Sequence, residues 1–134
     1  MKRKLQILVA EDKQEISAIL IAVLSPQFEV LGVVSNGRDL VQVALDLVPD
    51  VIVADTSLPS LSGLGAMNEL RVTGTNIPVV LISPAFRHKG ISGHPGALVY
   101  VDKLDLAVDL IPAVQCAMSG QLFLSRSIPR LPLK

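Results

Sequence analysis

Short apolar runs that end abruptly in charged or turn-forming residues alternate along the chain with stretches in which apolar residues recur every three or four positions. Residues 5–10 (LQILVA) form the first run and predict a strand; Ile16, Ile19, Leu20, Val23 and Leu24 then repeat at helical spacing. Residues 28–34 predict a second strand. Asn36 predicts the cap of a helix whose buried stripe is Leu40, Val43, Ala44 and Leu47 and which Pro49 ends. Residues 50–54 predict a third strand, followed by a loop with Asp55, Pro59 and Gly63 and a helix carrying Leu64, Met67 and Leu70 on one side. Residues 77–82 and 97–101 predict the fourth and fifth strands. A closing helix over 105–119 carries Leu106, Leu110, Ala113, Val114, Ala117 and Met118, with Gly120 as its C-cap. Pro112 lies inside it and removes a backbone hydrogen bond at a typical cost of about 3 kcal/mol, which predicts a kink or a late helix start. Strands alternating with helices predict an α/β fold: a doubly wound five-stranded parallel sheet with right-handed crossovers and helices on both faces. Residues 86–96 are the irregular part, because Gly90, Gly93, Pro95 and Gly96 stand where a fourth helix belongs.

Composition narrows this picture. A chain of 134 residues is the size of one domain. Half of it is apolar, yet it has three Phe, one Tyr and no Trp, so Val, Leu, Ile and Ala must fill the core. The formal net charge is zero, and nothing in the overall balance draws the chain to nucleic acid or an anionic membrane. Basic residues near both ends read as solvated tails. The one cysteine, Cys116, has no partner for an internal disulfide and reads as a small buried group in a reducing compartment. No apolar run is long enough to span a bilayer and no cleavage signature follows the N-terminus, so a soluble, cytoplasmic protein without membrane contact is expected.

The candidate chemistry lies at the strand ends. Glu11 and Asp12 follow the first predicted strand and Asp55 the third; a strand order 2-1-3-4-5 brings them together at the carboxyl edge of the sheet, where such folds bind ligands. Crowded carboxylates need a counter-charge, which a hard divalent cation such as Mg²⁺ supplies through oxygen ligation. Ser83 ends the fourth strand and Lys103 follows the fifth, so a hydroxyl and an ammonium face the same crevice and suit the oxygens of an acyl phosphate on Asp55. Each feature has an ordinary reading: an acidic first helical turn, a turn-forming Asp, a loop serine, a surface lysine. Their coincidence at the ends of strands favours a site.

The stretches ILVAEDKQEI, FEVLGVVSNGRDL, DVIVADTSLPSLSGL, PVVLIS, ALVYVDK and SGQLFLS together resemble the receiver domain of two-component response regulators, in particular the NarL/FixJ (LuxR-type) subgroup. The resemblance implies that Asp55 is the phosphoacceptor and that Glu11, Asp12, Asp55 and the backbone carbonyl of Ser57 hold Mg²⁺. It further implies that Ser83 and Lys103 bind the phosphoryl group and that Ser83 and Tyr100 act in the switch. The donor is then a histidine kinase or phosphotransfer protein, and a homodimer is possible. On this reading residues 1–125 are the receiver and 126–134 a C-terminal tail or truncated linker. The segment itself does not bind DNA, although a DNA-binding domain follows in full-length members of that subgroup. The domain is read as a substrate and switch, not an enzyme.

Several residues depart from the pattern. Pro84 has no N–H to offer a phosphoryl oxygen. The irregular residues 86–96 and Pro112 alter the usual output face. These departures motivate an alternative, a degenerate receiver acting as a phosphorylation-independent interaction or dimerisation module. His88 and His94 read as loop histidines, without paired ligands at a recognised metal spacing. A flavin carrier or phosphatase on the same fold would want a phosphate-cradling loop after the first strand, or a second acid/base after Asp55, and neither is present.

Overall fold

The computed structural model describes residues 3–83 and 99–125. The strands are β1 (Gln6–Ala10), β2 (Glu29–Val34), β3 (Val51–Asp55), β4 (Val79–Ser83), β5 (Val99–Asp102) and β6 (Phe123–Leu124). The helices are α1 (Gln14–Leu24), α2 (Gly37–Leu47), α3 (Gly63–Val72) and α4 (Leu106–Met118). All strand pairs are parallel, in the order β2-β1-β3-β4-β5-β6. The predicted doubly wound sheet is therefore present, with β6 added beside β5. A strand of two residues is too short to carry a periodic signal, which is why it is not legible in the sequence.

The inner strands are buried on both faces and so read as unbroken apolar runs. Ile7, Val9, Val51, Val53, Val80, Ile82, Val99 and Val101 pack on one face with α1 and α4. Leu8, Ala10, Ile52, Ala54, Val79, Leu81 and Tyr100 point the other way, towards α2 and α3. Leu40 and Ala44 are buried as expected, but Leu47 is exposed, as is Ile19 on α1. Cys116 is only partly buried.

The helix ends follow local chemistry. The Asn36 side chain accepts the Asp39 N–H at 2.8 Å, as expected of a cap, and Ser62 does the same for Gly65 at 3.0 Å. Gly120 adopts φ 72°, with Gly120 N–H on the Ala117 carbonyl (3.3 Å) and Gln121 N–H on that of Cys116 (2.8 Å), a Schellman closure of α4. Pro112 neither delays nor ends α4, which begins at Leu106 after a 3₁₀ turn over Lys103–Asp105. Pro112 is exposed, and so is Val108 one turn earlier, which leaves the undonated carbonyl on the side open to water.

Val48 ends α2 with φ 47°, left-handed backbone that a β-branched residue adopts only under strain, and its side chain is exposed. Val48→Gly is expected to raise stability by about 1 kcal/mol, read as a higher urea midpoint at unchanged slope. Pro84, residues 86–96 with His88 and His94, positions 97 and 98 of the predicted fifth strand, and the tail 126–134 lie outside the described residues.

Candidate functional site

The register of the sheet assembles the site. Ala10 pairs with Ala54, so Glu11 and Asp55, each one residue further on, stand side by side at the carboxyl edge; the Glu11 N–H is fixed on the Val34 carbonyl at 2.9 Å. Asp55 pairs with Ile82 and Ser83 with Asp102, which carries the sequence on into Lys103. Asp55 is thus the last residue of its strand and not the first of the loop, one position from where the apolar pattern put it, and Ser83 ends β4 as expected.

Carboxylate oxygens of Glu11, Asp12 and Asp55 all lie within 4.8 Å of one another. Asp55 is fully buried and Glu11 nearly so, while Asp12 stands exposed at the rim. Asp55 Oδ1 accepts both the Ser57 N–H (2.9 Å) and the Ser57 hydroxyl (3.0 Å). Its Oδ2 accepts Lys103 Nζ at 2.6 Å, and the same ammonium lies 3.4 Å from Glu11 Oε1. Glu11 Oε2 accepts the Lys13 N–H at 3.1 Å. Gly63 holds the loop against this site: a Cβ there would lie 2.2 Å from the Asp55 carbonyl oxygen. The double clamp by Ser57 and the packing role of Gly63 follow from the loop conformation, including Ser60 at φ 67°, which has no sequence period. Ser83 and Tyr100 are buried, Ser83 on the strand beside Asp55 and Tyr100 on the α2–α3 face of β5.

The electrostatics divide the two buried carboxylates. Burial, with the neighbouring Asp55 charge, pushes Glu11 up to about 7 despite the opposing Lys13 N–H and Lys103 ammonium. Burial acts on Asp55 in the same sense, but the Lys103 hydrogen bond and charge and the Ser57 N–H outweigh it and hold Asp55 below the ordinary carboxylate value. Lys103, although penalised by burial, is raised by Asp55 and Glu11 and stays charged. Of the two buried carboxylates, Glu11 is therefore the one that takes up a proton as the pH falls through about 7. Among the described residues, Glu11 Oε1 receives no hydrogen bond, and the Lys103 ammonium lies 3.4 Å from it. An all-oxygen donor set with an under-coordinated buried carboxylate fits a hard divalent cation such as Mg²⁺. Because binding must displace the Glu11 proton, Mg²⁺ affinity is expected to rise about tenfold from pH 6 to pH 8 with proton release, measurable by titration calorimetry in buffers of different ionisation enthalpy.

The response regulator receiver domain profile matches residues 7–103. The chain is 38% identical over 120 residues to protein-glutamate methylesterase/protein-glutamine glutaminase 4 of Hahella chejuensis, covering 87% of this chain and 29% of that protein. Its fold matches the response regulator domain of CheB from Thermotoga maritima with TM-score 0.77 at 23% identity, covering 87% of this chain and 98% of the other. It also matches a DNA-binding response regulator of the LuxR family from Staphylococcus aureus with TM-score 0.77 at 22% identity, covering 85% and 98%. A parallel sheet in this order, an acidic cluster at its carboxyl edge and these matches define a two-component signalling protein. The chain belongs to the response regulator receiver domain family, whose members bind Mg²⁺ at such an acidic pocket and interact with histidine kinases or phosphotransfer proteins.

Two expectations change. Receiver-family membership is shown, whereas the neighbours include CheB as well as LuxR-family receivers, so the subgroup is matched only in part. The non-enzymatic reading is also corrected: relatives spanning this chain bear an enzyme's name. The chain spans less than a third of their length, 29%, 32% and 26%, and matches their receiver part, so their activity is not shown for it. Among the described residues, no helix is long and apolar enough to cross a membrane.

Proposed function

We propose that the chain is a phosphoacceptor receiver. An Asp55 carboxylate oxygen attacks the phosphorus of a phosphohistidine on a kinase or phosphotransfer protein; the P–O bond forms as the P–N bond breaks, and the released imidazole regains a proton. The observation that carries this reading is the Asp55 carboxylate itself, buried, pinned by Ser57 on one oxygen and by Lys103 on the other, beside Glu11 and Asp12. A cation held by Glu11, Asp12, Asp55 and the Ser57 carbonyl would supply charge stabilisation for the incoming phosphoryl oxygens. Lys103 turns from Asp55 to the phosphoryl group, Ser83 offers it a hydroxyl, and Tyr100, packed on the same strand as the Lys103 turn, follows as the switch.

The pairing of Phe123 and Leu124 with β5 supports a receiver unit reaching Ser125, followed by a linker or tail over 126–134. The segment SGQLFLS favours the LuxR-type branch, with transcriptional output through a separate DNA-binding domain, a cytoplasmic setting and dimerisation as the usual consequences. The phosphorylation-independent alternative drew its support from Pro84 and residues 86–96, and the described residues add nothing to it. Incubation with acetyl phosphate is expected to add one phosphoryl mass to the intact protein with Mg²⁺ and none with EDTA. A Mg²⁺-bound protein that stays unmodified would remove the proposal.

A further inference from the structure

The site depends on where Lys103 stands, yet Lys103 begins a single 3₁₀ turn, which has little rigidity of its own. The turn is held from both sides. On one, the Asp102 carboxylate accepts the Leu104 N–H at 2.9 Å. On the other, the Asp102 N–H donates to Ser125 Oγ at 3.0 Å. That hydroxyl spends its own proton on Asp109 Oδ2 at 2.7 Å, and the Ser125 N–H donates to the Tyr100 carbonyl at 3.2 Å. Ser125 is 1% exposed, so water is poorly placed to replace these bonds. One hydroxyl thus ties together the end of β5, the strand β6 and the helix α4. Neither Ser125 nor Asp109 touches the acidic cluster.

We propose that Ser125 and Asp109 are positioning residues for Lys103, so that the docking of β6 and the occupancy of the acidic site are coupled. The inference rests on the phosphoacceptor reading. An ammonium on four rotatable bonds reaches Asp55 reproducibly only if its backbone origin is fixed, and the Asp102 peptide is that origin. Coupling is reciprocal: if Ser125 sets the place of Lys103, a ligand that grips Lys103 tightens the hold on Ser125. Leu124 adds a packing route in the same direction, since it pairs with Tyr100, which pairs in turn with Leu81. Ser125 is also where the chain leaves the sheet, so the anchor lies at the junction with whatever follows.

The test uses the full chain with beryllofluoride and Mg²⁺ as the phosphoryl mimic. The Ser57 amide shift reports binding, and hydrogen exchange at the Asp102 and Ser125 amides reports the anchor. In the wild type, saturation is expected to slow exchange at both amides about tenfold. Ser125→Ala is expected to weaken beryllofluoride binding about tenfold, and Ser125→Thr, which keeps the hydroxyl, to restore it. If Ser125→Ala does not fold, the wild type and Ser125→Thr still carry the exchange readout. A saturating Ser57 shift with unchanged exchange at Asp102 and Ser125 overturns the inference and leaves the phosphoacceptor reading standing. No Ser57 shift in the wild type overturns that reading, and the inference with it.

Discussion

Asp55→Asn is expected to reduce phosphoryl incorporation from acetyl phosphate to background while the protein remains folded. The amide oxygen can still accept the Ser57 N–H and hydroxyl, now 2.9 and 3.0 Å from Asp55 Oδ1, so the loop keeps its anchor. The amide nitrogen then occupies the place of Oδ2, 2.6 Å from the Lys103 ammonium, where two donors face each other. Lys103 moves to Glu11. A neutral carboxamide lacks the anionic oxygen that attacks phosphorus, so the reaction stops. With the Asp55 charge gone and the ammonium nearer, Glu11 should titrate well below its value of about 7, which carboxyl-carbon chemical shifts would follow. Continued modification of the variant would place the acceptor elsewhere.

Lys103→Met is expected to destabilise the metal-free protein by about 3 kcal/mol at pH 8 and by much less at pH 5, because it removes the cation from a buried acidic pair. The sign follows from Glu11. Its carboxyl is raised in the folded state from 4.5 to about 7, so between those values the native protein holds a proton that the unfolded chain releases. Stability from this group is present at low pH and fades as pH rises through 7. At pH 5 Glu11 is neutral and Lys103 balances Asp55 alone; at pH 8 it balances two carboxylates. Mg²⁺ should restore much of the loss by supplying the missing charge. Urea denaturation at the two pH values, with and without Mg²⁺, measures this, and an equal loss at both would contradict the assigned electrostatics.

The fold was legible because strands buried on both faces leave continuous apolar runs, and because these runs alternate with helical periods such as Ile16–Leu20–Val23. The meeting of Glu11, Asp12 and Asp55 was legible for the same reason: once the strand order is known, strand ends meet at one edge. What escaped depends on contacts that no local period encodes. Ser57 offered a hydroxyl among several in a polar loop, and nothing in the sequence shows that both its donors close on one Asp55 oxygen. Ser125 gains its partners only because β6 adds to the sheet, a pairing of two residues set by tertiary packing. Leu47 was misplaced because it is the last residue of α2, where the helix ends and the side chain stands exposed, although Leu40 and Ala44 on the same stripe are buried. Pro112 was expected to disturb α4, but a missing donor on an exposed helical face is hydrated at little cost.

When a hard cation is present, the Asp55 oxygen, and no other nucleophile in the chain, is expected to take the phosphoryl group. Borohydride reduction of the protein after treatment with acetyl phosphate, followed by peptide mass mapping, reads this directly, since an acyl phosphate is reduced to the alcohol at the residue that carried it. Homoserine is expected at position 55 with Mg²⁺, and unaltered Asp55 with EDTA. Homoserine at position 12, or an unreduced position 55 in Mg²⁺-saturated protein, would contradict it.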